Sequence, residues 1–190
     1  MKRMCAAAAL AGLLAGLAGS AEAAETVVDA TSAALCAKAA ALGRADDASL
    51  QACNAAIADG GLDSHDLVVT YVNRGAVAMN RHDYAAARAD FDRAIQTEPT
   101  AGEAWVDRGG VDIIQHRYRD GIADTSKGLE LGVHDPAKAY YNRAVAYEGV
   151  GDAQSAYIDY QEAMVLQPAW DLPRQEVLRF TVVKRKTGGG

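Results

Sequence analysis

The chain has little that would build a large aromatic core, a basic surface or a membrane-spanning segment. Two phenylalanines stand among 190 residues, half of which are apolar and many of them alanine. That composition suits helices packed closely through small side chains. Acidic residues outnumber basic ones and the formal net charge is −6, which argues against nucleic acid as the main partner. After Ala18 no stretch is long or apolar enough to cross a bilayer. Signatures of chemistry are missing too. The four histidines, at 65, 82, 116 and 134, stand in no HExxH or paired-cysteine setting. Nucleophile elbow, P-loop and dinucleotide fingerprint are likewise absent. The expectation is a non-enzyme with no catalytic residues, cofactor or metal.

What is present begins with an export-like leader. Lys2 and Arg3 precede an apolar run from Met4 to Ala18, and Ala21-Glu22-Ala23 has the small-x-small pattern of a cleavage site. Residues 1–23 read as a secretory signal peptide cleaved after Ala23. A retained anchor is the alternative, but the run is shorter than the roughly 20 residues a spanning helix needs. No lipobox precedes Cys36, because Leu35 occupies a position that requires a small residue. Loss of Lys2, Arg3 and Glu22 takes the net charge from −6 to −7. The reading is a periplasmic or secreted protein without stable membrane insertion. Cleavage removes Cys5 and leaves Cys36 and Cys53. In an oxidising compartment such a pair invites one disulfide. Two buried thiols remain an alternative; half a metal site is discounted, since no further ligands lie at zinc-like spacing.

The body of the chain repeats. Asn73-Arg74-Gly75 returns as Asp107-Arg108-Gly109, 34 residues on, and as Asn142-Arg143-Ala144, 35 beyond that. Tyr71, Trp105 and Tyr140 each stand two residues ahead of a copy. Ala87, Phe91, Ala94 and Pro99 follow the first at the same intervals as Ala156, Tyr160, Ala163 and Pro168 follow the third. This series, over roughly residues 68–168, resembles the tetratricopeptide repeat (TPR) family, in an exported, bacterial-type form. The resemblance implies an all-α fold, a right-handed solenoid of three repeats over 68–101, 102–136 and 137–170.

Residues 24–64 are expected to hold a degenerate helical pair ahead of the repeats. Its helices span about 31–42 and, capped by Asp46 or Asp47, up to about Ala58. In register Cys36 falls where Arg74 sits and Cys53 where Phe91 sits, so a bond between them would staple the hairpin. Helices are then expected over His65–Asn80, Tyr84–Thr97, Ala153–Leu166 and from Asp171 to about Val182. Val177, Leu178 and Phe180 are the candidates to cover the solenoid end. A basic tail, Lys184-Arg185-Lys186, closes the chain. Gly121, Thr125 and Gly128 replace the alanines and aromatic of the second repeat, which makes that helix either soft or a place of close approach. His82 and His116 are read as solvated turn residues, and the Asp and Glu residues as solvating the helix faces.

In such arrays the first helix of each repeat lines a concave groove that takes a partner segment. Carried over by register, the lining is Val69, Val72, Asn73, Ala76 and Met79, then Glu103, Val106, Asp107 and Ile113, then Lys138, Tyr141, Asn142 and Val145. Asn73, Asp107 and Asn142 stand in a row as hydrogen-bonding side chains, with binding to neighbouring helices or water as the alternative. Arrays that clamp chaperone C-terminal carboxylates use Lys and Asn, then Asn, then Lys and Arg. Here those positions hold Val72, Ala76, Asp107, Lys138 and Asn142, and only Lys138 matches. The implied function is a protein-binding module or scaffold. The alternatives are a self-assembling structural envelope protein and a non-catalytic subunit of an envelope enzyme complex.

Overall fold

The computed structural model describes residues 32–180, and within them the chain is α-helical, without strands. Helix α1 covers 32–41. It is followed by α2 (Asp47–Ala58), α3 (Ser64–Asn80), α4 (Tyr84–Thr97), α5 (Gly102–Ile114), α6 (Tyr118–Leu131), α7 (Pro136–Gly149), α8 (Ala153–Leu166) and α9 (Asp171–Arg179). The expected leader, its expected cleavage site and the basic tail lie outside the described residues.

Local chemistry sets the boundaries. Asp46, Asp63, Asp83, Asp135 and Asp152 each precede a helix and accept from the backbone N–H three residues on, satisfying a donor the helix leaves open. Pro136 sits in the first turn of α7, where its missing N–H costs nothing. Between the helices of each repeat the chain turns through one left-handed residue: His82 (φ 60°), His116 (φ 61°) and Gly151 (φ 81°). Glycine takes that conformation freely and histidine does not. The two histidines are exposed, as expected, but also tethered. Their Nδ1 atoms lie 2.9 Å from Tyr84 Oη and 2.6 Å from Tyr118 Oη.

Each repeat is a helical hairpin, α3 with α4, α5 with α6 and α7 with α8, and each hairpin packs on the next. The first helices also touch across repeats, α3 with α5 and α5 with α7, whereas α4, α6 and α8 make no comparable contact with one another. One row of helices is therefore crowded and the other splayed, which curves the array and puts α3, α5 and α7 on its inner side. Phe91 fills the first hairpin against Ala78 and Ala87, and Tyr160 fills the third against Ala144 and Ala156. A Cβ added at Gly75 would lie 2.5 Å from the Phe91 ring, so the ring as placed depends on glycine there.

Charges thread this core, against the expectation that carboxylates solvate the helix faces. Arg74, Arg108 and Arg143 each pair in fork geometry with the aspartate 16 residues on, Asp90, Asp124 and Asp159, at 2.6–2.9 Å. All three aspartates are buried. The third guanidinium nitrogen reaches the preceding hairpin, at Asn54, Asp92 and Ser126 respectively. The aromatic three residues before each arginine lies beside it, with Tyr71, Trp105 and Tyr140 centroids 5.6, 4.7 and 5.3 Å away. One arginine per repeat thus fixes both the hairpin and its neighbour.

The ends differ from the middle. Cys36 and Cys53 form a disulfide that ties α1 to α2, with Cα atoms 4.7 Å apart. Both cysteines are buried with Ala39 and with Val77 of α3, so the staple also seats the pair on the first repeat. At the other end α9 stops at Arg179, earlier than expected, because Phe180 is extended. Val177 and Phe180 pack on the third repeat. Leu178 does not: it is 78% exposed.

Candidate functional site

The inner surface is built by α3, α5 and α7, and Gly110 of α5 lies between Met79 of α3 and Asn142 of α7. Gly110 lies one turn past Asp107 on α5 and has no side chain to fill the space between its neighbours. A Cβ placed there would meet the Met79 methyl of α3 at 3.9 Å and the Asn142 amide of α7 at 4.0 Å, ordinary contact distances. Met79, Gly110 and Asn142 therefore run across three helices as a continuous strip. Neither Gly110 nor this gap was expected from the repeat pattern. Its only trace in the sequence is the doubling of glycine at Gly109-Gly110.

The register-derived lining divides in two. Val69 is exposed, while Val72, Asn73, Ala76, Met79, Asp107, Tyr141, Asn142 and Val145 are half-buried, and Glu103 and Lys138 are exposed. Val106 and Ile113 go elsewhere. Val106 is buried, with its Cγ2 2.5 Å from where a Gly128 Cβ would stand, and Ile113 Cγ1 is 2.6 Å from the same point at Gly121. Both valine and isoleucine fill space that the α6 glycines leave open, so they pack the second hairpin and do not line a groove. Tyr141 has a double role. Its ring meets Tyr160 edge-on at 5.4 Å and Trp170 at 4.9 Å, which makes it a support for the C-terminal cap as well as an inner-surface residue.

Asp107 carries the distinctive electrostatics. Burial raises its carboxyl, the nearby Glu103 carboxylate adds to the effect, and Lys138 opposes it, leaving Asp107 at about 7. Its charged neighbours are occupied by other groups. Glu103 Oε1 accepts from the backbone N–H of His134 at 2.8 Å, and Lys138 Nζ lies 2.8 Å from Asp135 Oδ2. Among the described residues no group of three or more His, Cys, Asp or Glu side chains is placed to hold a metal ion.

Helical hairpins stacked with α3, α5 and α7 inside match solved repeat structures. MamA from Desulfovibrio magneticus RS-1 superposes with a TM-score of 0.63 at 19% identity, covering 79% of this chain and 81% of that one. The fold is the tetratricopeptide-repeat solenoid. The first TPR of Spaghetti (RPAP3), solved bound to HSP90 peptide SRMEEVD, matches over 62% of this chain and 92% of its own, with a TM-score of 0.57 at 17% identity. In sequence, the Hsp70-Hsp90 organizing protein of Triticum aestivum is 32% identical over 96 residues, half of this chain but 16% of that protein. No family model matches the chain. Among the described helices of this solenoid none is long and apolar enough to cross a membrane.

Proposed function

We propose that the chain is an exported interaction module that holds an extended or helical partner segment along the inner row of its TPR helices. The observation that carries the reading is the strip Met79–Gly110–Asn142. It offers an apolar anchor, a position without a side chain and an amide across three repeats, which gives a partner segment an apolar contact, room to approach and a hydrogen-bonding group. A TPR bound to a peptide is among the proteins this fold resembles, which supports a peptide-like partner. It does not support the same peptide chemistry. SRMEEVD is rich in carboxylates, whereas Val72, Ala76, Asp107 and Asn142 replace the basic and amide residues of a carboxylate clamp.

Gly110→Leu is the direct test. Its Cβ meets Met79 and Asn142 at ordinary contact distance and nothing closer, so the helices are expected to persist by circular dichroism, with Gly110→Ala as the smaller control whose melting temperature stays at or above wild type. Crosslinked partners recovered from an envelope extract are expected to be lost. A partner that binds Gly110→Leu and Asn142→Ala normally would move the site off this surface. With Val69 and Met79 as anchors, affinity is expected to vary only modestly with salt.

Export rests on the leader-like residues 1–23 and on the Cys36–Cys53 bond, which suits an oxidising compartment. Mass spectrometry of the non-reduced protein from cell fractions tests both, expecting an N-terminus at Ala24 and linked cysteine peptides in the envelope. Self-assembly is favoured by one observation, the exposed leucines at both ends: Leu35 and Leu42 on the N-terminal hairpin, Leu172 and Leu178 on α9. Light scattering across a concentration series separates it from groove binding.

A further inference from the structure

Asp107 stands in the middle of the inner surface, one turn from the Gly110 gap, and is the residue by which this groove departs most from one that holds carboxylates. A carboxylate in such a place is ordinarily matched by a cation or by hydrogen-bond donors. Here the cation that acts on it, Lys138, is also paired with Asp135, and the acid that acts on it, Glu103, accepts from the His134 backbone. Its neighbours act on Asp107 through charge alone. The register places Val72, Asn73 and Ala76 of α3 on its other side, none of them titratable. The residue is thus partly desolvated, incompletely compensated and open to whatever lies in the groove.

We propose that Asp107 selects charge in this groove by pairing with a lysine or arginine side chain of the bound segment, so that the partner is a basic peptide segment. The inference rests on the groove reading and adds the chemistry of its occupant. An entering ammonium or guanidinium gives the carboxylate the partner it lacks and is itself desolvated against it. Such charge-assisted bonds are among the stronger polar contacts a protein makes. The same pairing disfavours acidic segments, because a second carboxylate beside Asp107 and Glu103 would meet repulsion that only Lys138, itself paired with Asp135, opposes.

The protonation behaviour is consistent with an unsatisfied carboxylate. A carboxyl raised to about 7 keeps a proton in the folded state that the unfolded chain has already released. Stability therefore falls as pH rises from about 4 to about 7 and is level above that. Asp107→Asn is expected to remove this slope and to raise the melting temperature above pH 7. A residue kept for structure would show the opposite, a loss of stability on substitution.

The binding test uses a randomised peptide library displayed on phage, selected at pH 8 against the full mature protein and against Gly110→Leu. Peptides that bind the first and not the second are the groove ligands. They are expected to share a Lys or Arg at a fixed distance from an apolar residue. Synthetic copies are expected to bind Asp107→Asn about tenfold more weakly or worse. Asp107→Lys, selected in parallel, is expected to enrich Glu or Asp at that position. Wild-type affinity is expected to fall as the pH drops below 7, where Asp107 is protonated, and to stay flat for Asp107→Asn. Repeating the titration in His134→Gln removes the neighbouring imidazole as the source. Groove ligands without a basic position, bound equally by wild type and Asp107→Asn, overturn the inference while leaving the groove intact. If no selected peptide distinguishes Gly110→Leu from wild type, the groove reading itself fails, and this inference with it.

Discussion

The first and third repeats are filled by aromatic rings, and the second is closed by their absence. Phe91 and Tyr160 each occupy the centre of a hairpin, lined by alanines. At the matching place the second repeat has Thr125, and Gly109, Gly121 and Gly128 let α5 and α6 approach until Val106 and Ile113 reach the opposite backbone. The second repeat also lacks the side-chain caps of its neighbours: Ala101 and Arg117 precede α5 and α6 without a capping hydrogen bond. In exchange it holds the densest charge. Asp112 is fully buried, with Arg88 of α4 and Arg117 on one carboxylate oxygen, while its Oδ2 and the Thr125 hydroxyl find no hydrogen-bond partner among the described residues. One repeat scaffold thus admits two ways of closing a hairpin, ring in cavity or backbone on backbone, and the choice sets which substitutions each tolerates.

The largest expected effect is on the rings. Phe91→Ala leaves a cavity in a buried, alanine-lined site and is expected to cost about 3–5 kcal/mol. Thr125→Ala removes a methyl and a buried hydroxyl without a partner, and about 1 kcal/mol or less is expected. Because stacked repeats unfold in part, hydrogen exchange of the individual helices is the appropriate readout. Equal losses for the two variants would mean that Thr125 is as central to its hairpin as Phe91 is to its own.

The arginines come next. Removing one leaves a buried aspartate unpaired, for which about 3–5 kcal/mol is typical of a dry site, less where the guanidinium is partly open to water. Arg108 serves two carboxylates, Asp124 and Asp92, whereas Arg143 serves Asp159 and the neutral Ser126. Arg108→Ala is therefore expected to be more destabilising than Arg143→Ala in chemical denaturation. The reverse order would show that the link from the second repeat to the first contributes little.

Much of the scaffold was legible in the sequence because it depends on spacing. The interval near 34 residues, the cap at Asp46 or Asp47 and the Cys36, Cys53 register all act within a helix or between adjacent ones. The arginine ladder was equally periodic, at 74/90, 108/124 and 143/159, yet an aspartate on a helix looks the same whether it faces water or a guanidinium. The glycines of α6 left softness and close approach equally open, and the positions of Val106 and Ile113 show close approach. Register alone puts those two side chains on the groove, and register holds only while every hairpin is closed in the same way. Where α6 gives up its side chains, the residues opposite turn to fill the space.

Gly128→Ala probes that closure. Its new Cβ would stand 2.5 Å from Val106 Cγ2 and 2.7 Å from the Gly102 carbonyl oxygen. Overpacking of this kind costs about 1–3 kcal/mol, expected as a lowered denaturation midpoint with faster exchange in α5 and α6. If alanine is accepted without loss, the glycines mark a loose helix, and the contrast with the aromatic repeats is one of order.

The smallest effect separates two adjacent residues. At Gly109 a Cβ would lie 2.6 Å from Thr125 Oγ1 and 3.1 Å from the Gly121 carbonyl oxygen, while at Gly110 it would touch Met79 and Asn142 at 3.9 and 4.0 Å. Both are helical, so alanine gains the same intrinsic propensity at either, up to about 1 kcal/mol. At Gly110 nothing opposes that gain, and Gly110→Ala is expected to raise stability slightly. At Gly109 the clash outweighs it, and Gly109→Ala is expected to lower stability. A pair of thermal denaturation curves decides the matter. Opposite signs would establish that the second repeat is glycine-rich for two reasons, one that closes the hairpin and one that keeps the inner surface open. Stabilisation by both would leave only a flexible helix pair. Destabilisation by both would mean that the space at Gly110 is already used by the solenoid itself.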